Sequence, residues 1–164
     1  MREIEYFAYG SNMNLDQMAY RCPESEVIGT VRLEGYRLAF AGGSGVATIL
    51  PCPSSHVDGV LWEISEADEQ RLDHYEGFPR LYGKEPVTVR DKAGAVHEVM
   101  AYTMNPPYRD ERAMPSIPYL YGIVEGCTQN GIDTDRVFDA LKRTESEVMS
   151  QQERGDKGRK GPER

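Results

Sequence analysis

The sequence predicts an α+β protein with flanking helices on a curled, largely antiparallel or mixed sheet. Strand-like runs outnumber helix-like ones, and they come in consecutive groups rather than alternating with helices. Glycine and proline punctuate them at short intervals. A doubly wound parallel sheet needs the strand–helix alternation that is missing here. The chain has 164 residues, of which 39% are hydrophobic and 28% charged, within the range of one soluble globular domain. A domain of that size buries roughly two-thirds of its unfolded surface, enough for a core and a pocket.

The elements follow in chain order. Ile4–Tyr9 is a short apolar and aromatic run, a candidate buried strand that stops at Gly10-Ser11-Asn12. Asn14 opens a helix, with Gln17 as its capping-box partner and Pro23 as its stop. Four strand-like runs follow at Val27–Leu33, Tyr36–Ala41, Val46–Leu50 and Val57–Ile64, separated by Gly35, Gly42-Gly43, Pro51 and Pro53. Ser65, with Asp68 in its first turn, starts a second helix that runs to Tyr75-Glu76 and ends at Gly77. Lys84–Val89 and Val96–Met104 read as strands joined around Lys92-Ala93-Gly94. A proline-rich connection (Pro106, Pro107, Pro115) leads to a third helix, Ile117–Gln129, closed by Asn130-Gly131. Thr134 caps a fourth, whose Val137, Leu141 and Val148 form one apolar face. From Ser150 onward large apolar residues are absent. That composition predicts a disordered, charged tail over 150–164 behind one domain over 1–149.

Charge and composition exclude several classes. The net charge is −8, the wrong sign for a phosphate-backbone binder, so no nucleic-acid partner is expected. No run approaches the ~18 apolar residues of a membrane span, and the start MREIEYFAYG lacks the shape of a signal peptide. No membrane partner is expected. The cysteines Cys22, Cys52 and Cys127 are odd in number and lack CxxC spacing, which fits free thiols in a reducing cytoplasm. His56, His74 and His97 are isolated, so no metal is expected. Neither a GxGxxG nor a GxxxxGK[ST] loop is present.

Three stretches carry candidate chemistry. In Tyr6-Phe7-Ala8-Tyr9-Gly10-Ser11-Asn12, a strand feeds a glycine-containing turn that opens a helix, an arrangement that offers backbone N–H groups to an anion. On composition alone, a strand end with a helix cap is the commoner reading. In Leu72-Asp73-His74-Tyr75-Glu76-Gly77-Phe78-Pro79, Glu76 ends a helix among aromatic residues. Burial and the helix dipole both disfavour its ionised form, as a general base working near neutral pH requires. Solvent-exposed helix-end glutamates are more common. In Pro115-Ser116-Ile117-Pro118-Tyr119, a first-turn tyrosine is placed to enter a pocket, although packing is the usual fate of such residues.

Taken together and in order, these stretches resemble the γ-glutamylcyclotransferases of the AIG2-like superfamily. Tyr6 to Asn12 is similar to the family's YFAYGSN loop, Gly45-Val46-Ala47-Thr48-Ile49 to its GGIATI strand, and Asp58-Gly59-Val60-Leu61-Trp62 to its VxGVVW strand. Asp73-His74-Tyr75-Glu76-Gly77 resembles the segment with the catalytic glutamate, and Pro115 to Tyr119 resembles PSPQY. Gln129-Asn130-Gly131-Ile132 resembles the ENGL that closes the next helix. The matches run through almost all of the body. The prolines of 115–118 are displaced by one position, and Tyr82 stands at a slightly different spacing from the family's tyrosine.

The resemblance implies the γ-glutamyl cyclotransferase-like fold, a curled mixed sheet or barrel with flanking helices. It implies an enzyme that closes a γ-glutamyl amide onto its own α-amine, releasing 5-oxoproline and an amine. Glu76 takes the role of general acid and base. Substrate binding falls to Tyr6, Phe7, Ala8, Tyr9, Gly10, Ser11, Asn12, Tyr82 and Tyr119. No cofactor is required, and the one partner implied is a small γ-glutamyl substrate. Some members are homodimers, but no exposed apolar stripe in this sequence calls for one. Phe78-Pro79-Arg80-Leu81-Tyr82 looks closer to the γ-glutamylamine cyclotransferases, which leaves the departing amine open. Biosynthetic removal of a γ-glutamyl group, and a non-catalytic metabolite-binding module, are the alternatives.

Overall fold

A computed structural model describes residues 3–159 of the chain. Five strands close into a barrel: β1 (Glu3–Ala8), β2 (Glu26–Ala41), β3 (Val46–Ser65), β4 (Tyr82–Asp91) and β5 (Val96–Met104). Their order around the barrel is β1-β3-β2-β4-β5. Every neighbouring pair is antiparallel except β1 and β5, which close the barrel in parallel at Tyr6 opposite Met100. The expected curled mixed sheet is therefore a closed barrel, which removes its edges.

The sequence suggests four strands between residues 27 and 64, and the structure has two long ones. Gly35, at φ +82°, absorbs an irregularity in register between Glu34 and Tyr36 without ending β2. Pro51 and Pro53 fall where β3 carries its extra residues across from that point, so the prolines bend β3 instead of breaking it.

The helix starts follow local capping. The side chain of Asn14 accepts from the N–H groups of Asp16 and Gln17 at the head of α1 (Leu15–Arg21). Ser65 accepts from Asp68 at the head of α2 (Glu66–Glu76), and Ser116 from Tyr119 at the head of α3 (Ile117–Asn130). Gly77 and Gly131 take left-handed conformations at the ends of α2 and α3. The last helix, α4 (Asp135–Arg159), begins after Thr134, and it is the side chain of Asp133 that bonds the Asp135 N–H. Val137, Ala140 and Thr144 of α4 are buried against the barrel, where Thr144 Oγ1 accepts from Phe40 N.

Helix α4 does not stop at the expected boundary. It continues past Ser150 to Arg159, and Gln151 exchanges two hydrogen bonds with the backbone of Arg112. Gln151 ties the start of this stretch to the body, and residues 152–155 are exposed. The remainder of the expected tail, residues 160–164, lies outside the described residues.

The core fills the barrel and the spaces beneath its helices. Phe7, Phe40, Val60, Leu61, Val89 and Met104 are fully buried within it. Among the described residues, no helix is long and apolar enough to cross a membrane.

Candidate active site

Polar groups collect at one small pocket. It is walled by Tyr6 of β1, the chain leaving that strand (Tyr9, Gly10, Ser11, Asn12), Ala47 of β3, Glu76 of α2, Tyr82 of β4, Tyr102 of β5 and Tyr119 of α3. Nearly every site residue expected from sequence is therefore in one place: Glu76, Tyr6, Tyr9, Gly10, Ser11, Asn12, Tyr82 and Tyr119. Phe7 and Ala8 are not among the pocket walls. Both are completely buried in the core, where the Phe7 ring and the Ala8 carbonyl pack on Gly59. Their function is to hold β1 in place.

The loop after β1 is clamped from several sides. Asn12 accepts from Trp62 Nε1 through its backbone carbonyl at 2.9 Å and from Arg21 Nη1 through Oδ1 at 2.6 Å. Its Nδ2 donates to the Tyr6 hydroxyl at 2.9 Å. Gly10 packs closely against Ala47 and Tyr119: a Cβ there would lie 3.1 Å from Ala47 Cβ and 3.6 Å from the Tyr119 hydroxyl. The backbone N–H groups of Gly10, Ser11 and Asn12 have no protein acceptor among the described residues. They are the open donors of the pocket wall.

Glu76 is the last residue of α2, presented where Gly77 turns the chain. Its carboxylate accepts no hydrogen bond among the described residues, although it lines a pocket rich in hydroxyls. Burial pushes its pKa up to about 7, against the opposing pull of Arg21. Arg21 itself sits 3.8 Å over the Tyr75 ring, at the end of α1.

The tyrosines are fixed by the backbone and by one ion-paired carboxylate. Ala47 holds two of them: its carbonyl accepts from Tyr82 at 2.5 Å, and its N–H donates to Tyr119 at 2.9 Å. Tyr9 donates to the carbonyl of Tyr102 at 2.6 Å. Tyr102 donates to Asp73 at 2.5 Å, and Lys84 neutralises Asp73 from 2.9 Å. Burial drives all of these phenols above their ordinary range, so they are hydrogen-bonding groups rather than bases.

Sequence reasoning missed Tyr102 and Arg21. Tyr102 lies within β5, where the strand pattern marks it only as one apolar position among several. Arg21 carries a last-turn signal at the end of α1, but that signal says nothing about a pocket. The thiols do not join the site. Burial pushes Cys22 up to about 12 and Cys127 up to about 11, which makes them inert. Among the described residues, no group of His, Cys, Asp and Glu side chains is placed to hold a metal ion.

Residues 6–121 match the family described as gamma-glutamyl cyclotransferase, AIG2-like. The chain is 30% identical over 137 residues to gamma-glutamylcyclotransferases of Bos taurus and Homo sapiens, covering 77% of this chain and 71% of each relative. A solved structure of a gamma-glutamyl cyclotransferase superposes with a TM-score of 0.75 at 28% identity, over 89% of this chain and 86% of that one. The structure of YkqA from Bacillus subtilis shares the fold at 21% identity, with a TM-score of 0.72 over 89% of this chain and 55% of its own. The chain thus belongs to the gamma-glutamyl cyclotransferase, AIG2-like family of cyclotransferase enzymes.

Proposed function

We propose that this pocket converts a γ-glutamyl amino acid or γ-glutamyl amide into 5-oxoproline and a free amine, with Glu76 as the general base and then the general acid. The observation that carries this reading is the half-buried carboxyl of Glu76, without a hydrogen-bond partner among the described residues, lining the same pocket as the loop of unpaired donors. The ionised Glu76 takes a proton from the substrate's α-ammonium. The freed amine attacks the γ-carbonyl, the new C–N bond closes the ring, and the old γ-amide C–N bond breaks. Glu76 returns its proton to the departing nitrogen, so the protonation states balance over one turnover. The nucleophile belongs to the substrate, so the protein's task is to fold the γ-glutamyl chain back on itself. That intramolecular arrangement is worth up to roughly 7–11 kcal/mol of barrier when well aligned.

Tyr119 keeps a proton to offer the substrate, whereas Tyr82 spends its own on Ala47 and presents only lone pairs. The free thiols Cys22, Cys52 and Cys127 support a reducing, cytoplasmic setting. The first test is 5-oxoproline release from γ-glutamyl-alanine and γ-glutamyl-ε-lysine, side by side. The preferred substrate separates the amino-acid reading from the γ-glutamylamine reading. Tight binding without release from either supports a binding module instead.

Two further outcomes follow from the geometry. Because Glu76 must be ionised to act and its pKa stands at about 7, kcat/KM is expected to fall on the acid side with a midpoint near pH 7. A midpoint at the ordinary carboxylate value of 4.5 would show that the free site is wet. Gly10→Ala is expected to weaken 5-oxoproline binding several-fold, because its Cβ crowds Ala47 at 3.1 Å and fills space beside the Tyr119 hydroxyl. Unchanged affinity by calorimetry would make the loop structural only.

A further inference from the structure

The hydroxyl protons of the pocket tyrosines are not equivalent. Tyr9, Tyr82 and Tyr102 donate theirs to Tyr102 O, Ala47 O and Asp73 Oδ1, so toward a ligand they are acceptors only. Tyr119, whose oxygen accepts from Ala47 N, keeps its proton, and so does Tyr6. Its oxygen accepts from Asn12 Nδ2 at 2.9 Å, and among the described residues its own proton has no acceptor.

The direction of that bond is fixed from outside the pocket. Arg21 Nη1 lies 2.6 Å from the other end of the Asn12 amide. A guanidinium only donates, so the atom facing it is Oδ1 and the atom facing Tyr6 is the NH₂ group. Arg21 is held in turn over the Tyr75 ring and 3.3 Å from Ser11 Oγ. The chain of donors therefore runs one way, from Arg21 through Asn12 to Tyr6. Tyr6 is 3% exposed, with its ring edge-on to Tyr102 at 5.7 Å, so the pocket is what remains for its proton to meet.

We infer that Tyr6 donates a hydrogen bond to the substrate's γ-carbonyl oxygen as that oxygen gains negative charge, and that Asn12 and Arg21 are positioning residues that keep this bond aimed into the pocket. The inference rests on the cyclotransferase reading given above. The Tyr6 proton stays on its own oxygen throughout, and Glu76 moves the protons that change place. Burial and the nearby Glu76 hold the phenol well above its ordinary range, so it remains a donor wherever the protein is folded. With the oxyanion taken by Tyr6, the open N–H groups of Gly10, Ser11 and Asn12 are left for the substrate's α-carboxylate.

The test uses Tyr6→Phe, Asn12→Asp and the double variant, with kcat and KM measured across pH on the better of the two γ-glutamyl substrates. Loss of one oxyanion donor is expected to lower the plateau kcat by roughly 10²-fold, with little change in KM. Asn12→Asp keeps a partner for Arg21 but offers Tyr6 a carboxylate, which turns its proton away from the pocket. It is expected to lose as much as Tyr6→Phe does, and the double variant is expected to lose no more than either single one. Tyr6→Phe with a plateau kcat within about threefold of wild type, far short of an oxyanion donor's share, overturns the inference. So does a Tyr6→Phe loss that appears as a shifted acid limb, because Tyr6 would then be acting on Glu76. Additive losses in the double variant overturn the part given to Asn12 and Arg21. A wild-type protein that releases no 5-oxoproline removes the cyclotransferase reading and this inference together. An active wild type with an unimpaired Tyr6→Phe removes the inference alone.

Discussion

Glu76→Gln is expected to lower 5-oxoproline release by roughly 10²- to 10⁴-fold, the share that a positioned acid–base group contributes. Glutamine has nearly the same shape and forfeits only the proton. Binding of 5-oxoproline is therefore expected to survive, and calorimetry on the variant checks it. The same substitution carries a stability signature of defined sign. Burial raises the folded-state pKa of Glu76 from 4.5 to about 7. Below pH 4.5 the group is neutral in both states and costs nothing. Between there and pH 7 the unfolded chain ionises first, so the wild type loses stability as pH rises. At pH 8 the accumulated cost reaches at most roughly 3 kcal/mol, reduced by whatever water the open pocket admits. Glutamine never ionises, so the variant is expected to unfold at a higher temperature than wild type at pH 8 and at the same temperature at pH 4. A variant that is stabilised but still active would make Glu76 a buried carboxyl without a catalytic role. A variant that is inactive but not stabilised would place its carboxyl in water.

What the sequence could reveal was local. Asn14, Ser65 and Ser116 announce helix starts because each side chain bonds an N–H within its own first turn. Gly77 announces the end of α2, and with it the place where Glu76 is presented. What stayed hidden depends on contacts between distant segments. Tyr102 reaches the pocket because the barrel closes β5 against β1, and no local pattern encodes that closure. Arg21 becomes part of the site because α1 lies beside the loop, where its guanidinium can reach Asn12. The long β2 and β3 read as four shorter strands in the sequence because glycine and proline are turn formers. In the barrel the same residues serve as irregularities in two continuous strands. Phe7 and Ala8 belong to the matching motif, yet they support the site from the core without reaching it.

That distinction between lining a site and holding it makes Gly59→Ala a substitution expected to damage the fold strongly. A Cβ on Gly59 would lie 2.3 Å from the carbonyl oxygen of Ala8 and 2.6 Å from the Phe7 ring. Neither neighbour can yield, because one is backbone at the end of β1 and the other is fully buried. The conflict resolves only if β1 moves away from β3, where Ala8 pairs with Val60. Overpacking a core costs roughly 1–3 kcal/mol, and a clash with backbone belongs at or above the upper end. Gly29→Ala in β2 is the matched control, since its Cβ meets nothing within 4 Å, and it is expected to stay within about 0.5 kcal/mol of wild type. Urea unfolding of the two variants measures the difference. Activity at a temperature where both are folded should separate them further, because β1 runs directly into Tyr9-Gly10-Ser11-Asn12 and any shift displaces the loop from Trp62 and Arg21. Equal stability and equal activity in the two variants would mean that β1 can slide without disturbing the pocket. The loop would then owe its position to the Asn12 contacts alone, and not to the strand that delivers it.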